Sequence, residues 1–306
     1  MTKKQRGVLL AVTGASLWGT SGTAAEFLFK TTGVDTFWLI GVRAWIAGII
    51  LTIFIYWRDG KKAFAIFKNK HDLLKGIIYA TVGIMGSQFT YFMTVKHSNA
   101  PTGTILVFLA PVLIIAFVAL KTRQIPRRID LISVIVALLG TIIMVTGGNF
   151  THLAITPKAL FWGFLAAATQ AISVVMPGDL FKKYGTLTIV SLSSIWGGII
   201  FSPSFFMMPA IKATLLNWLT IVYIAVVGTV FAYTLYLSSV LYISAGLASI
   251  LEAFEPLMAT ILSVGLLGSD FGQMKILGGI LIIMATSLQV IPFQRSRKLL
   301  QRANKA

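Results

Sequence analysis

Cysteine is absent from these 306 residues, which excludes a disulfide framework, a thiol nucleophile and a thiolate metal site. Histidine is almost absent: His71, His97 and His152 fall at expected loop or helix-end positions and give no basis for an imidazole metal centre, so no metal or cofactor is expected. Acidic residues number 9 against 26 Lys and Arg. Charge of either sign makes up 11% of the chain, against 57% hydrophobic residues and a mean hydropathy of +0.86. A soluble domain of this length cannot hide that much apolar surface, so an all-α integral membrane protein is expected. The net charge of +17 does not point to nucleic acid, because the basic residues sit in short connections and not on one soluble domain.

A bilayer crossing needs about 20 apolar residues. Ten such runs are expected, at 7–29, 35–57, 73–95, 99–120, 130–148, 157–178, 186–207, 215–239, 244–268 and 271–291. Of the 26 basic residues, 20 fall on one side of this layout, among them Lys3, Lys61, Lys68, Arg123, Arg127, Lys183 and those of the 293–306 tail. The other side receives Lys30, Lys96, Lys158, Lys212 and Lys275. Positive charge marks the cytoplasmic side, so a multi-pass protein of the cell membrane with both termini in the cytoplasm is expected. The basic start and Thr23-Ala24-Ala25 resemble a cleavable leader. The small-residue stripe Gly7, Ala11, Ala15, Gly19, Thr23 recurs 152 residues later as Ala159, Gly163, Ala167 and Ala171, which argues against cleavage. Such stripes let helix backbones approach closely inside a membrane. Trp57 and Trp218 read as interfacial anchors, while Trp18 lies deeper.

A second echo is longer. Ala100–Pro111 is matched 145 residues on by Ala245–Pro256, with Gly83 on Gly228 and Tyr91 on Tyr236. Two halves, 1–150 and 151–292, are therefore expected, each of five helices, followed by a basic cytoplasmic tail at 293–306. Five is odd, so the second half enters the membrane from the opposite side. Two inverted repeats around a central cavity are the arrangement suited to alternating access. Pro111 and Pro256 each remove a helical hydrogen bond and are expected to kink matching segments, whereas Pro101 starts a helix.

A charge inside a crossing costs at least ~2.5 kcal/mol on insertion scales and so faces a cavity or a partner. The interior charges here are Glu26, Arg43, Glu252 and Glu255. Glu252 and Glu255 lie roughly 12 and 16 Å into their run and, at i and i+3, share one helical face. Close carboxylates resist double ionisation, so a proton or cation site is expected, the alternative being a structural pair satisfied by Arg43, hydroxyls or backbone. Arg43 either binds a substrate carboxylate or pairs with Glu26 or Asp35 as a lock. Gln88, Tyr91 and Thr94 stand opposite their repeat mates Tyr233, Tyr236 and Ser239, either to bind a polar solute or as ordinary interhelical contacts.

Leu17-Trp18-Gly19-Thr20-Ser21, Arg43, Ser98-Asn-Ala-Pro-Thr-Gly, Ser244-Ala-Gly, Leu-x-Pro before Pro111 and Glu255-Pro256, in this order, resemble the EamA-type branch of the drug/metabolite transporter superfamily. The resemblance covers nearly the whole chain. It implies ten helices in two inverted repeats around a substrate cavity, export of amino acids or other small metabolites, and functional roles for Arg43, Glu255 and Trp18. Glu252 and Glu26 depart from the family pattern. The expectation is a secondary transporter exporting a small polar metabolite, amino acids first, with proton coupling open and the solute held near the first, third, fourth, sixth, eighth and ninth runs. Its partners are a small-molecule substrate and the bilayer, and a monomer is compatible with the architecture. A multidrug or lipid-linked carrier, with a larger aromatic cavity, is the alternative within transport, and a membrane receptor or structural protein the alternative outside it. An intramembrane enzyme would need a constellation that runs without histidine or cysteine do not supply, so no catalytic activity is expected.

Overall fold

Local signals set where the helices begin. Thr2 caps α1 (Lys3–Thr32) through a capping box, its Oγ1 accepting from Gln5 N at 3.2 Å while Gln5 Oε1 accepts from Thr2 N at 2.7 Å. Gly33 then ends α1 at φ 62°, and Asp35 caps α2 (Thr36–Asp59) by accepting from Phe37 N at 2.8 Å. In this computed structural model residues 1–123, 125–126, 128–149, 154–207, 214–243 and 245–290 are described. Arg127, His152, Lys212, Ser244 and the 293–306 tail, all weighed above, lie outside them.

Every element among the described residues is helical. After α2 come a 3-10 segment (Gly60–Lys68), α3 (Lys70–Ile78), a π-helical segment (Tyr79–Met85) and α4 (Gly86–His97). Then follow α5 (Ala100–Val107), α6 (Ala110–Thr122), α7 (Arg128–Thr146), α8 (Pro157–Val175), α9 (Gly178–Tyr184), α10 (Thr186–Phe201) and α11 (Ser204–Met207). The chain closes with α12 (Leu215–Ala225), a second π-helical segment (Val226–Phe231), α13 (Ala232–Ser239), α14 (Ala245–Leu251), α15 (Phe254–Leu267) and α16 (Gln273–Val290).

Among the described residues six stretches are long and apolar enough to cross a membrane: Thr36–Lys68, Ala100–Phe117, Arg128–Thr146, Pro157–Val175, Thr186–Met207 and Leu215–Ser239. These coincide with six of the ten expected runs. The other four are helical too: the first is polar, the third passes through a π segment, the ninth is broken, and the tenth is the apolar helix α16. α1 carries eight Ser, Thr or Gly residues between Thr13 and Thr32, and the ninth run is split between α14 and α15. Large apolar side chains such as Ile53, Ile135, Phe161 and Leu219 stand exposed along these helices, as lipid contact requires.

The helices pack in a reciprocal scheme. α1 lies against α13 and α15, and its counterpart α8 lies against α4, α5 and α6. α2 packs on α10 and α7 on α16. The π segments carry Gly83 and Gly228 at matching places. The small-residue stripes are close contacts: Ala11, Ala15, Ala159 and Ala167 are fully buried, and a Cβ on Gly163 would collide with Leu106. Packing of this kind holds helices together in a membrane, where apolar burial gives no net drive.

Both expected kinks are present. Pro111 lacks an N–H, and the helix breaks at Phe108 and Leu109, whose amides make tight bonds to Ile105 O and Leu106 O, both at 3.1 Å. Pro256 cannot donate to Glu252 O, which instead accepts from Glu255 N at 2.8 Å, so α14 and α15 are separate helices. The helix is interrupted between the two acids, and this tight bond keeps Glu252 and Glu255 next to each other. Glu252 lies in the break and Glu255 in the first turn of α15.

Candidate functional site

Arg43 is the anchor of the interior. It sits midway along α2 and is 5% exposed. Its Nε donates to Thr229 Oγ1 at 2.7 Å and its Nη1 to Gln88 Oε1 at 2.6 Å, while the guanidinium lies 5.1 Å from the centroid of the Phe92 ring. Gln88 Nε2 in turn donates to the Tyr233 hydroxyl at 3.5 Å. The π turn makes Thr229 available: its hydroxyl donates to Ile224 O five residues back, at 3.1 Å, and leaves its lone pairs for Arg43. A cavity of about 20 Å³, lined by Arg43, Ile84, Gln88, Ser194, Thr229 and Tyr233 among others, adjoins these groups. That is roughly the size of one water molecule. It is bounded by α2, α4, α10, α13 and the two π segments, so that of the runs expected around a solute the third and the eighth line it.

The lock expected between Arg43 and Glu26 or Asp35 is not formed. Asp35 caps α2. Glu26, 1% exposed, accepts from Ala100 N at 2.8 Å, from Ser263 Oγ at 2.7 Å and from Ser269 Oγ, and pairs with Lys30 Nζ at 2.9 Å. The Asn99 side chain caps α5 and also donates to Asp270 O at 3.2 Å, so α1, α5, α15 and the turn after α15 are tied at the end of the bundle away from Lys3.

The acidic pair lies beyond Tyr233. Trp18 of α1 meets Tyr233 edge-on and Tyr236 at a tilt, each at 5.0 Å between ring centroids. The Tyr236 hydroxyl hydrogen-bonds Glu252. The Glu255 carboxylate, only partly buried, has no hydrogen bond or ion pair among the described residues. The Tyr91 hydroxyl is buried against Gly22 and has no hydrogen-bond partner among the described residues. Tyr91 lies within electrostatic reach of Arg43 and Glu255, and Tyr233 within reach of Arg43, Glu252 and Glu255. Both phenols are thus neighbours of the buried cation and of the acids. Gly19 lets the Glu255 backbone approach α1, since a Cβ there would collide with Glu255 O.

The site residues read from the sequence thus converge: Trp18, Arg43, Gln88, Tyr91, Tyr233, Tyr236, Glu252 and Glu255 form one connected group. Thr94 and Ser239 do not join it, their hydroxyls bonding Thr90 O at 2.8 Å and Tyr236 O at 2.6 Å. Trp57 is 84% exposed, as an interfacial anchor would be, while Trp218 packs on Trp38 at 6.0 Å. Sequence reasoning missed Thr229 and Ser194. The paired glycines Gly83 and Gly228 were the available signal for Thr229, since glycine matched in both halves marks a backbone irregularity.

Comparison with known proteins identifies the family. The model of the EamA-like transporter family matches residues 5–146 and 157–291. The uncharacterized inner membrane transporter YicL of Salmonella typhimurium is 36% identical over 291 residues, covering 94% of this chain and 96% of that protein. The uncharacterized transporter YetK of Bacillus subtilis is 24% identical over 304 residues, covering 94% and 90%. A solved crystal structure superposes with a TM-score of 0.62 over 92% of this chain and 96% of that one, and at 18% identity this likeness concerns the fold alone.

Proposed function

This chain belongs to the EamA-like transporter family, and from that premise we propose that it exports a small zwitterionic metabolite, an amino acid first, across the cytoplasmic membrane. It is a multi-pass membrane transporter of this family. In our reading the helices join into ten crossings arranged as two inverted five-helix repeats, 1–150 and 151–292, with both termini and the 293–306 tail in the cytoplasm. The reciprocal packing of α1 and α8 and the matched π segments and breaks support that reading. Movement of the solute is by alternating access of the two halves around Arg43 and the acidic pair.

One observation carries the choice of substrate. Arg43 is a buried cation with no acidic partner among the described residues, and Glu255 is an interior carboxylate with no partner among them either. An uncompensated interior charge is costly, so both gain from a ligand of opposite charge. A zwitterion supplies both, its carboxylate to Arg43 and its ammonium to Glu255, with Tyr91 and Tyr233 offering hydroxyls beside them. Proton exchange at Glu255 and Glu252 is the coupling step in this reading.

The test is counterflow in proteoliposomes with a panel of amino acids, their amides and the corresponding decarboxylated amines, with and without a pH gradient. Intact zwitterions should exchange, and removal of either charge should cost tenfold or more. If Glu255→Gln leaves every transported substrate and the gradient dependence unaffected, the coupling role is wrong. If hydrophobic cations move and no amino acid does, the substrate class is wrong.

A further inference from the structure

α2 alone, at 24 residues and ~1.5 Å per residue, reaches about 36 Å, already more than the ~30 Å hydrocarbon core. The nine residues that follow, Gly60–Lys68, are surplus to a crossing. Gly60, at φ 59° and ψ −141°, turns the chain off the α2 axis, a conformation that disfavours any side chain. The 3-10 segment is then fastened at one point: Ile66 is 1% exposed and fits against Gly76 of α3, where a Cβ would lie 3.2 Å from its Cδ1.

With Ile66 turned inward and Ala63 packed beside the core, Lys61, Lys62, Phe64, Phe67 and Lys68 face out. Phe64 and Phe67 are exposed, and Tyr56, Phe64 and Phe67 form a ladder with ring centroids 6.1 and 6.3 Å apart, beside the exposed Trp57. Lys61, Lys62, Lys68 and Lys70 are exposed and have no carboxylate in ion-pair contact among the described residues. The nearby acids are occupied: Asp59 by Arg58, through two hydrogen bonds of 3.0 and 2.6 Å, and Asp72 by Lys183 and Tyr184.

We propose that Gly60–Lys68, together with Lys70, is an interfacial foot that binds the anionic headgroups of phospholipids. Aromatic rings settle at the headgroup level, and lysines beside them meet lipid phosphates in a region where the field of an anionic leaflet is strong. The four lysines supply the charge and the Tyr56–Phe64–Phe67 ladder supplies the depth. This inference does not depend on what the protein transports.

The test is native mass spectrometry of the purified full chain, titrated with phosphatidylglycerol or with phosphatidylcholine. Changing Lys61, Lys62, Lys68 and Lys70 together to Gln should weaken phosphatidylglycerol binding about tenfold or more. Changing Lys3, Lys4, Lys96 and Lys158 to Gln removes the same charge and should change it less than about twofold. Phe64→Ala with Phe67→Ala should weaken it while leaving every lysine in place. Phosphatidylcholine should bind all variants alike, and an unchanged unfolding midpoint certifies that each is folded. Equal losses in the two lysine variants would mean diffuse positive charge and would overturn the site. Full retention in the Phe variant, or displacement of the lipid by inorganic phosphate at matched ionic strength, would also overturn it.

Discussion

Arg43 of α2 and Thr229 of the π segment after α12 are joined by a 2.7 Å hydrogen bond across 186 residues of sequence. The bond fixes the guanidinium that the first half of the chain contributes by means of an irregular turn that belongs to the second.

Thr229→Val keeps the shape of the side chain and removes the acceptor, leaving a buried charge short of one bond. A loss of about 1–3 kcal/mol is expected. For a chain of this size that is a fall of roughly 2–5 °C in the unfolding midpoint of the detergent-solubilised protein. Thr229→Ser retains the hydroxyl and should recover most of the loss. If the Ser and Val variants unfold at the same temperature, the bond to Arg43 is not what Thr229 contributes.

Glu26 gathers three donors besides Lys30, and the ranking of its variants distinguishes hydrogen bonding from ion pairing. Glu26→Ala strands Ala100 N and the hydroxyls of Ser263 and Ser269, at a cost of about 2–4 kcal/mol. Glu26→Gln keeps one acceptor oxygen and should lose about half as much. Lys30 has a side chain 46% exposed, so Lys30→Ala should cost less than about 1 kcal/mol. Thermal unfolding of the three variants gives the order, and a Lys30 variant as unstable as Glu26→Ala would refute it.

Asp72 gives a pH dependence whose sign follows from its surroundings. Its hydrogen bonds from Lys183 and then Tyr184 hold its carboxyl below the ordinary carboxylate range. The folded state therefore binds that proton less readily than the unfolded one. The stabilisation is present above the ordinary value of about 4 and is lost as pH falls from there through the lowered value. Asp72→Asn should abolish this part of the acid sensitivity, seen as a flatter plot of unfolding midpoint against pH below about 4. An unchanged slope would show that the contact contributes nothing.

Much of this was legible in the residues. Pro111 and Pro256 mark the two helix breaks because a missing N–H is a local fact, and Asp35, Asn99 and Thr156 begin helices for equally local reasons. The burial of Gly7, Ala11, Ala15 and Gly19 followed from their spacing alone. The detail at Glu252 was missed because the break falls upstream of Pro256, where the freed Glu252 carbonyl is taken up by Glu255 N. Periodicity counts residues as if the helix ran on, and so does not show the break.

The sequence by itself determined that this is a membrane protein and that Arg43, Glu26, Glu252 and Glu255 lie where charge needs compensation. Composition, spacing and proline chemistry suffice for that, since each acts within a few residues. Only the tertiary structure decided how these charges are held: Glu26 is satisfied by groups 74, 237 and 243 residues away, while Arg43 is hydrogen-bonded to neutral groups 45 and 186 away. Those pairings depend on how closely glycine-bearing helix faces approach and where the π turns widen, and packing among several helices at once sets both.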